Sequence, residues 1–258
     1  MRAGRGPLRS RPVTVLEMLA VTGAGVVAGA VNAIVGSGSL ITFPTLLAVG
    51  YPPVVANVSN TVGLVFGSIS GAWGYRRELR GQRRRVLVLG TGSATGAITG
   101  GVLLLALPSS VFDAVVPILI LLAVALMAFK PAPSPEHLPD RAHTAAAAGG
   151  TFLTGIYGGY LGAAQGVILL AVLRLAFEDG LQRLNAVKNV LASIANGVAA
   201  VLFVAVAHVA WGAAALLAVG SIAGGALGAA YGRRLPERWL RRVVIVGGTI
   251  VAIVLLVR

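Results

Sequence analysis

Cysteine is absent from this 258-residue chain, and charge is scarce, at 11% of residues. The first absence removes disulfides, thiolate metal sites and cysteine nucleophiles together. The second excludes a soluble enzyme. An ordinary soluble domain carries about 25% charged residues, and a chain with so few cannot cover a globular surface. Acidic residues are rarest, 8 in all. Glu17 and Asp113 lie near the ends of apolar runs, and Glu78, Glu136, Asp140, Glu178, Asp179 and Glu237 fall in polar connections. No carboxylate is therefore expected at mid-bilayer as a proton relay or a sodium ligand. No metal-ligand cluster, phosphate-binding loop or catalytic triad is found, so neither cofactor nor metal is expected.

What the chain does have is apolar: 57% hydrophobic residues and a mean hydropathy of +0.88. The 35 glycines and 12 prolines follow no G-X-Y period, which excludes collagen, and the apolar content excludes disorder. The runs are continuous over about twenty residues rather than alternating over about ten, which selects helices over an outer-membrane barrel. The expected fold is an all-α polytopic membrane protein.

The net charge of +13 comes largely from two clusters. Arg76, Arg77, Arg80, Arg83, Arg84 and Arg85 form one; Arg233, Arg234, Arg238, Arg241 and Arg242 form the other. Both fall in short connections between apolar runs, the positive-inside pattern, with lipid headgroups as the nearest partner. No set of aromatic residues is interleaved for base stacking, Trp239 being the single one within either cluster, so nucleic acid is not expected.

Apolar run lengths give ten segments, near 13–35, 39–49, 54–75, 86–107 and 111–129, then 144–161, 165–177, 184–208, 211–232 and 239–257. Residues 1–12 read as a mobile tail, 13–129 as a first membrane repeat, 130–143 as a proline-bearing linker and 144–258 as a second repeat. A cleaved signal peptide ending near Ala28-Gly29-Ala30 is disfavoured, because Glu17 interrupts the run and the segment has a counterpart in the second half. Gly29 and Gly155 differ by 126, as do Gly36 and Gly162; Asn60 and Asn189 differ by 129. The arginine clusters follow the third segment of one half and the fourth of the other. If both face the cytoplasm, equivalent loops lie on opposite sides, which is an inverted-topology repeat. The N-terminal tail then lies outside.

Segments 39–49 and 165–177 span only about half of a ~30 Å hydrocarbon core at 1.5 Å per residue. Each follows a glycine-rich break, Gly36-Ser37-Gly38-Ser39 and Gly158-Gly159-Tyr160-Leu161-Gly162. Irregular backbone at depth is tolerated where it is buried in protein or lines a wet cavity. Half-helices starting there aim N–H groups and positive dipole ends at the midplane, a site for an anion. Gly96, Gly100, Gly224 and Gly228, spaced as small-xxx-small pairs, read instead as helix packing. The candidate anion-binding residues are Asn32, Ser37, Gly38, Ser39, Asn57, Asn60, Thr61, Gln165, Lys188, Asn189, Ser193 and Asn196. Amides and hydroxyls donate to an oxyanion without the cost of a buried charge. Asn189, Ser193 and Asn196 share a helix face. Lys188 has two readings, as partner of a bound anion or as a lysine snorkelling to the interface. His208 and Trp211 read as an interfacial pair.

At these residues the sequence resembles the TauE/SafE family of sulfite and organosulfur anion transporters. In the first half the likeness rests on Ala28-Gly29-Ala30-Val31-Asn32, Gly36-Ser37-Gly38-Ser39 through Pro44, Pro52-Pro53, Ala56-Asn57-Val58-Ser59-Asn60-Thr61 and Gly74 through Leu79. In the second half it rests on Tyr157 through Gly162, Ala186-Val187-Lys188-Asn189 and Asn196. Ser37 and Ser39 depart from a glycine run at the first break, and Ala163-Ala164-Gln165 from a glycine-rich stretch at the second. The resemblance implies a multi-pass permease of the bacterial inner membrane for small sulfur oxyanions. The expected partners are that anion and membrane lipid, with a homodimer left open. Two other classes compete. A scaffold recruiting a partner through its arginine loops would need no polar residues at mid-depth, and an embedded enzyme would need paired carboxylates or a metal cluster.

Overall fold

The computed structural model describes residues 14–128 and 140–232, and beyond them only Val246, Thr249 and Ile253. Among these residues the chain is helical, with no strand. The elements are α1 (Val15–Ile34), α2 (Ser39–Val49), α3 (Pro53–Gly74), α4 (Arg83–Ala106), α5 (Ser109–Ala128), α6 (Asp140–Tyr160), α7 (Gln165–Ala176), α8 (Leu181–Val206) and α9 (Trp211–Tyr231). Five of them, α1, α3, α4, α8 and α9, are long and apolar enough to cross a membrane. The short helices expected at 39–49 and 165–177 are α2 and α7, with 11 and 12 residues. Helix α6 starts at Asp140, ahead of the expected 144. The N-terminal tail, residues 130–139 of the linker, the second arginine cluster and all but three residues of the tenth segment lie outside the described residues.

Glycines decide how the long helices meet. Gly25 and Gly29 of α1 lie against α9, where Gly220, Gly224 and Gly228 lie against α1. Gly155 and Gly159 of α6 lie against α4, facing Gly96 and Gly100. At Gly29, Gly100, Gly159 and Gly224 a Cβ would overlap a neighbouring carbonyl or Cα. Only a missing side chain lets the backbones come this close, the membrane mode of packing by small residues. The packing role expected for Gly96, Gly100, Gly224 and Gly228 is what they have. Gly29 and Gly155, 126 positions apart, share it.

Contact register gives the helix directions. Gly25 meets Leu217 while Gly29 meets Ser221, so α1 and α9 run parallel; Gly63 meets Ala214 while Gly74 meets Ala229, so α3 joins them. Gly92 meets Ala148 while Gly100 meets Ile156, so α4 and α6 run parallel. Ser93 bonds the Leu191 carbonyl and Gly101 meets Leu202, which adds α8 to that pair. Ser68 pairs with Asn196 while Gly71 faces Asn189, so α3 and α8 are antiparallel. The first helix of each half thus packs on the fourth of the other, α1 on α9 and α6 on α4, and the third likewise, α3 on α9 and α8 on α4. The halves interlock rather than sit side by side.

One polar cluster ties two connections together. Asp179, between α7 and α8, accepts from Arg85 at the start of α4 and from Arg183 at 3.0 Å. Arg85 also lies 3.9 Å over the Phe177 ring, and Gln82 donates to the Arg183 carbonyl at 3.2 Å. The outer end of the half-helix α7 is thereby fastened beside the first arginine cluster. Partial burial alone would raise the Asp179 carboxyl. The hydrogen bonds and charges of Arg85 and Arg183 outweigh it and hold the group below the ordinary aspartate value.

Candidate functional site

Both breaks stop their helix in the same way. At the end of α1 the N–H groups of Val35 and Gly36 both donate to the Val31 carbonyl, at 2.7 and 3.0 Å. At the end of α6 those of Leu161 and Gly162 both donate to the Tyr157 carbonyl, at 2.9 and 3.1 Å. Gly36 and Gly162 then take φ of +89° and +71°, a left-handed turn that glycine enters without a Cβ clash. Ala164 follows at φ +56°, a conformation unfavourable for a residue with a Cβ. It stands in the stretch where this sequence departs from a glycine-rich break. The Tyr157 hydroxyl donates to the Ala163 carbonyl and steadies that turn. In the first break the Asn32 side chain does similar work, its Oδ1 accepting the Gly38 N–H at 2.9 Å.

The two breaks touch. The Gly166 N–H, at the start of α7, donates to the Gly36 carbonyl at 2.9 Å. A small cavity opens beside this contact. Asn32, Gly36 and Ser39 border it from the first break, Gly162, Gln165 and Gly166 from the second. Ser68 of α3 and Asn189, Ala192 and Asn196 of α8 close it. In this conformation it has room for about one water molecule. Gln165 is 2% exposed, and its Nε2 has no hydrogen-bond partner. Its amide lies over Gly158, where a Cβ would overlap it. A buried amide donor left without a partner costs about 1–3 kcal/mol, and Gln165 borders the cavity.

Of the residues expected from sequence, Asn32, Ser39, Gln165, Asn189 and Asn196 border this cavity. The others surround it at one remove. Ser37 is fully buried in the first break, its hydroxyl without a partner, and Gly38 is the N-cap of α2. Thr42 donates to Asn60 Oδ1, joining α2 to α3. Asn57 Nδ2 donates to the Tyr160 carbonyl at 2.9 Å, joining α3 to the second break. The hydroxyls of Thr61 and Ser193 bond back to carbonyls of their own helices, those of Asn57 and Asn189, as such residues do in membrane helices.

Lys188 takes neither of the places its sequence suggested. It is fully buried and does not snorkel. Its Nζ donates to the carbonyls of Asn32 at 2.9 Å and Ala33 at 3.4 Å. Asn185 and Asn189 donate to the same Ala33 carbonyl at 3.1 and 3.0 Å. The last carbonyls of α1 have no partners within the helix and carry its negative dipole end. Three side chains of α8 supply what they lack, and the cation is held one residue from the cavity wall.

The family model described as Sulfite exporter TauE/SafE matches residues 21–255. The chain belongs to the TauE/SafE family. It is similar to a probable membrane transporter protein of Haemophilus influenzae, 26% identical over 223 residues, with 86% of this chain and 88% of that protein covered. It is also similar to the probable membrane transporter protein ORF9 of a Sinorhizobium species, 35% identical over 103 residues, which cover 40% of this chain and 39% of that protein. No solved structure matches. The chain is thus a multi-pass membrane transporter of the TauE/SafE family, as its sequence motifs implied.

In this TauE/SafE chain the sequence reading missed Ser68, Gly166 and Ala192 as wall residues. Ser68 carried a usable signal: it lies eight positions after Asn60 on α3, on the face that also bears Asn57 and Thr61. Gly166 and Ala192 offer backbone and small volume, which leave no polar signature.

Proposed function

We propose that this chain is a permease of the bacterial inner membrane for small sulfur oxyanions, such as sulfite, thiosulfate or a sulfonate, and that the anion is held where the two helix breaks meet. The observation that carries this reading is the buried Gln165 Nε2, unpartnered at the start of α7 and bordering a cavity with Asn32 and Ser39. Preorganised donors in a water-poor site favour an oxyanion, and each start of a half-helix adds positive potential. Lys188 acts through α1: it neutralises the carbonyl end that would otherwise face the anion with negative potential. The remaining candidates, Ser37, Gly38, Asn57, Asn60, Thr61 and Ser193, hold the breaks and helices in register around the site.

An inverted repeat accounts for the helix directions. The parallel set α1, α3 and α9 runs opposite to α4, α6 and α8, so equivalent helices of the two halves point opposite ways. With the first arginine cluster in the cytoplasm, α1 starts outside. Flux is passive or linked to a proton that the substrate carries, because among the described residues no aspartate or glutamate borders the cavity. The cavity must widen for an anion to pass, and the half-helices α2 and α7, whose first residues border it, are the elements placed to move.

The test is the melting temperature of the purified protein with sulfite, thiosulfate, sulfate and sulfonates. A ligand at a hundred times its Kd adds about 2.7 kcal/mol to stability. A rise with at least one sulfur oxyanion is expected, and no rise with any of them overturns the proposal.

A further inference from the structure

Four amides border the cavity, and their bonds to the rest of the protein decide which end each has left for a ligand. Asn32 spends Oδ1 on the Gly38 N–H, which leaves Nδ2. Asn189 spends Nδ2 on the Ala33 carbonyl at 3.0 Å, which leaves Oδ1. Asn196 donates Nδ2 to Ser68 Oγ at 3.5 Å, which also leaves Oδ1. Gln165 Nε2 is buried and free. A backbone N–H cannot accept and a carbonyl cannot donate, so partners dictate the orientations of Asn32 and Asn189. As placed, the wall offers two amide donors, Asn32 and Gln165, and two carbonyl acceptors, Asn189 and Asn196, of which the Asn32 donor and the Asn189 acceptor are fixed by their backbone partners.

A bare oxyanion accepts at every oxygen. It satisfies Asn32 and Gln165 but sets lone pairs against Asn189 Oδ1 and Asn196 Oδ1, leaving these two without a donor. A monoanion that carries its own hydroxyl satisfies all four. Charge points the same way. Among the described residues the basic side chain beside the cavity, Lys188 on α8, is already spent on two carbonyls. Around the cavity α6 adds only the neutral phenols Tyr157 and Tyr160, the described part of α3 and all of α2 carry no titratable side chain, and Arg174 of α7 and Glu17 of α1 lie at the far ends of their helices. A single negative charge costs less to desolvate there than a double one.

We propose, resting on the oxyanion reading above, that the cavity takes the singly protonated form of a small sulfur oxyanion, and that Asn189 and Asn196 select it by accepting its hydroxyl proton in a hydrogen bond. The proton then crosses with the anion and never leaves it for the protein.

The test uses proteoliposomes of the full chain. Sulfite flux at constant total sulfite, with pH stepped across the second ionisation of sulfurous acid, should follow the hydrogensulfite concentration. At one fixed pH, methanesulfonate has the same charge but no donor, and should compete about tenfold more weakly than hydrogensulfite, the worth of one hydrogen bond. Sulfate should compete more weakly still. In Asn196→Ala and Asn189→Ala, checked for retained folding by melting, the methanesulfonate penalty should shrink to about threefold or less in at least one. Flux that follows the sulfite dianion overturns the inference, as does methanesulfonate competing equally in the unmodified protein, or a penalty unchanged in both variants. Those outcomes leave the oxyanion permease standing; absence of flux and of competition by any sulfur oxyanion removes both.

Discussion

The Gly166 N–H donates to the Gly36 carbonyl at 2.9 Å, and a Cβ on either glycine would overlap the other's backbone. This is where the two helix breaks touch. The contact admits no side chain, and Gly36 is held at φ +89° besides. Gly50 makes a useful contrast, with φ +101° but open space around its Cβ position. Gly50→Ala should cost about 1–2 kcal/mol, the price of the left-handed conformation alone. Gly36→Ala adds an overlap with rigid backbone and should cost more, with transport reduced at least tenfold. Melting curves and flux of the two variants check this; equal losses would mean the breaks do not press together.

Lys188 supports α1 rather than reaching the cavity. Lys188→Met keeps the length and removes the charge, stranding the Asn32 carbonyl. A hydrogen bond from a charged donor is worth about 1.5–3 kcal/mol, so a loss of stability of that order, read as a lower melting temperature, is expected. Lys188→Arg should not rescue it, since the fully buried site has no room for a planar guanidinium. An arginine variant as stable as the unmodified protein would return the lysine to an exposed or anion-facing position.

The contrast between Asn189 and Lys188 shows what the sequence could carry. Apolar run length located the long helices, and the glycine-rich breaks located α2 and α7, because both signals are local. The identity of the polar set was legible for a related reason: polar residues within apolar runs are few, and four of the amides picked out, with Ser39, do border the cavity. Direction was not legible. Lys188, Asn189 and Asn185 all bond to carbonyls of α1, more than 150 positions away in the chain, and nothing near position 188 announces that partner. Gly166 and Ala192 read as small packing residues until the two breaks and α8 are placed together.

Asn60 and Asn189 occupy equivalent places in the two halves but differ in what they hold. Asn60 takes the Thr42 hydroxyl and does not border the cavity. Asn189 donates Nδ2 to the Ala33 carbonyl and borders the cavity. Both alanine variants should insert and lose flux, Asn60→Ala severalfold and Asn189→Ala more. Anion-induced melting shifts should persist in Asn60→Ala and fall in Asn189→Ala. The reverse order would move the site toward α2 and α3.

Asp179 gives the fold an acid limit. Its carboxyl is held below the value it has in the unfolded chain. Its contribution is therefore complete above the ordinary aspartate range, and is lost as pH falls through the lower folded value. Asp179→Asn should lower the melting temperature at neutral pH, and the gap between variant and parent should close on acidification. A gap that stays constant with pH would mean the carboxylate charge contributes nothing to holding α7 beside α4.

The absence of cysteine makes membrane sidedness directly measurable, because every introduced thiol is unique. Arg80 and Glu178 lie in the connections joined through the Asp179 cluster, and both are exposed. Ser109 and His208 are exposed at the opposite ends of the antiparallel helix sets. Arg80→Cys and Glu178→Cys should react alike with an impermeant maleimide, protected in intact cells and labelled after permeabilisation, as the positive-inside rule requires of an arginine-rich connection. Ser109→Cys and His208→Cys should label in intact cells. The third-to-fourth connection of one half, at Arg80, would then face away from that of the other, at His208. Matched labelling of Arg80→Cys and His208→Cys would place those connections on the same side, and the two halves could not be inverted copies.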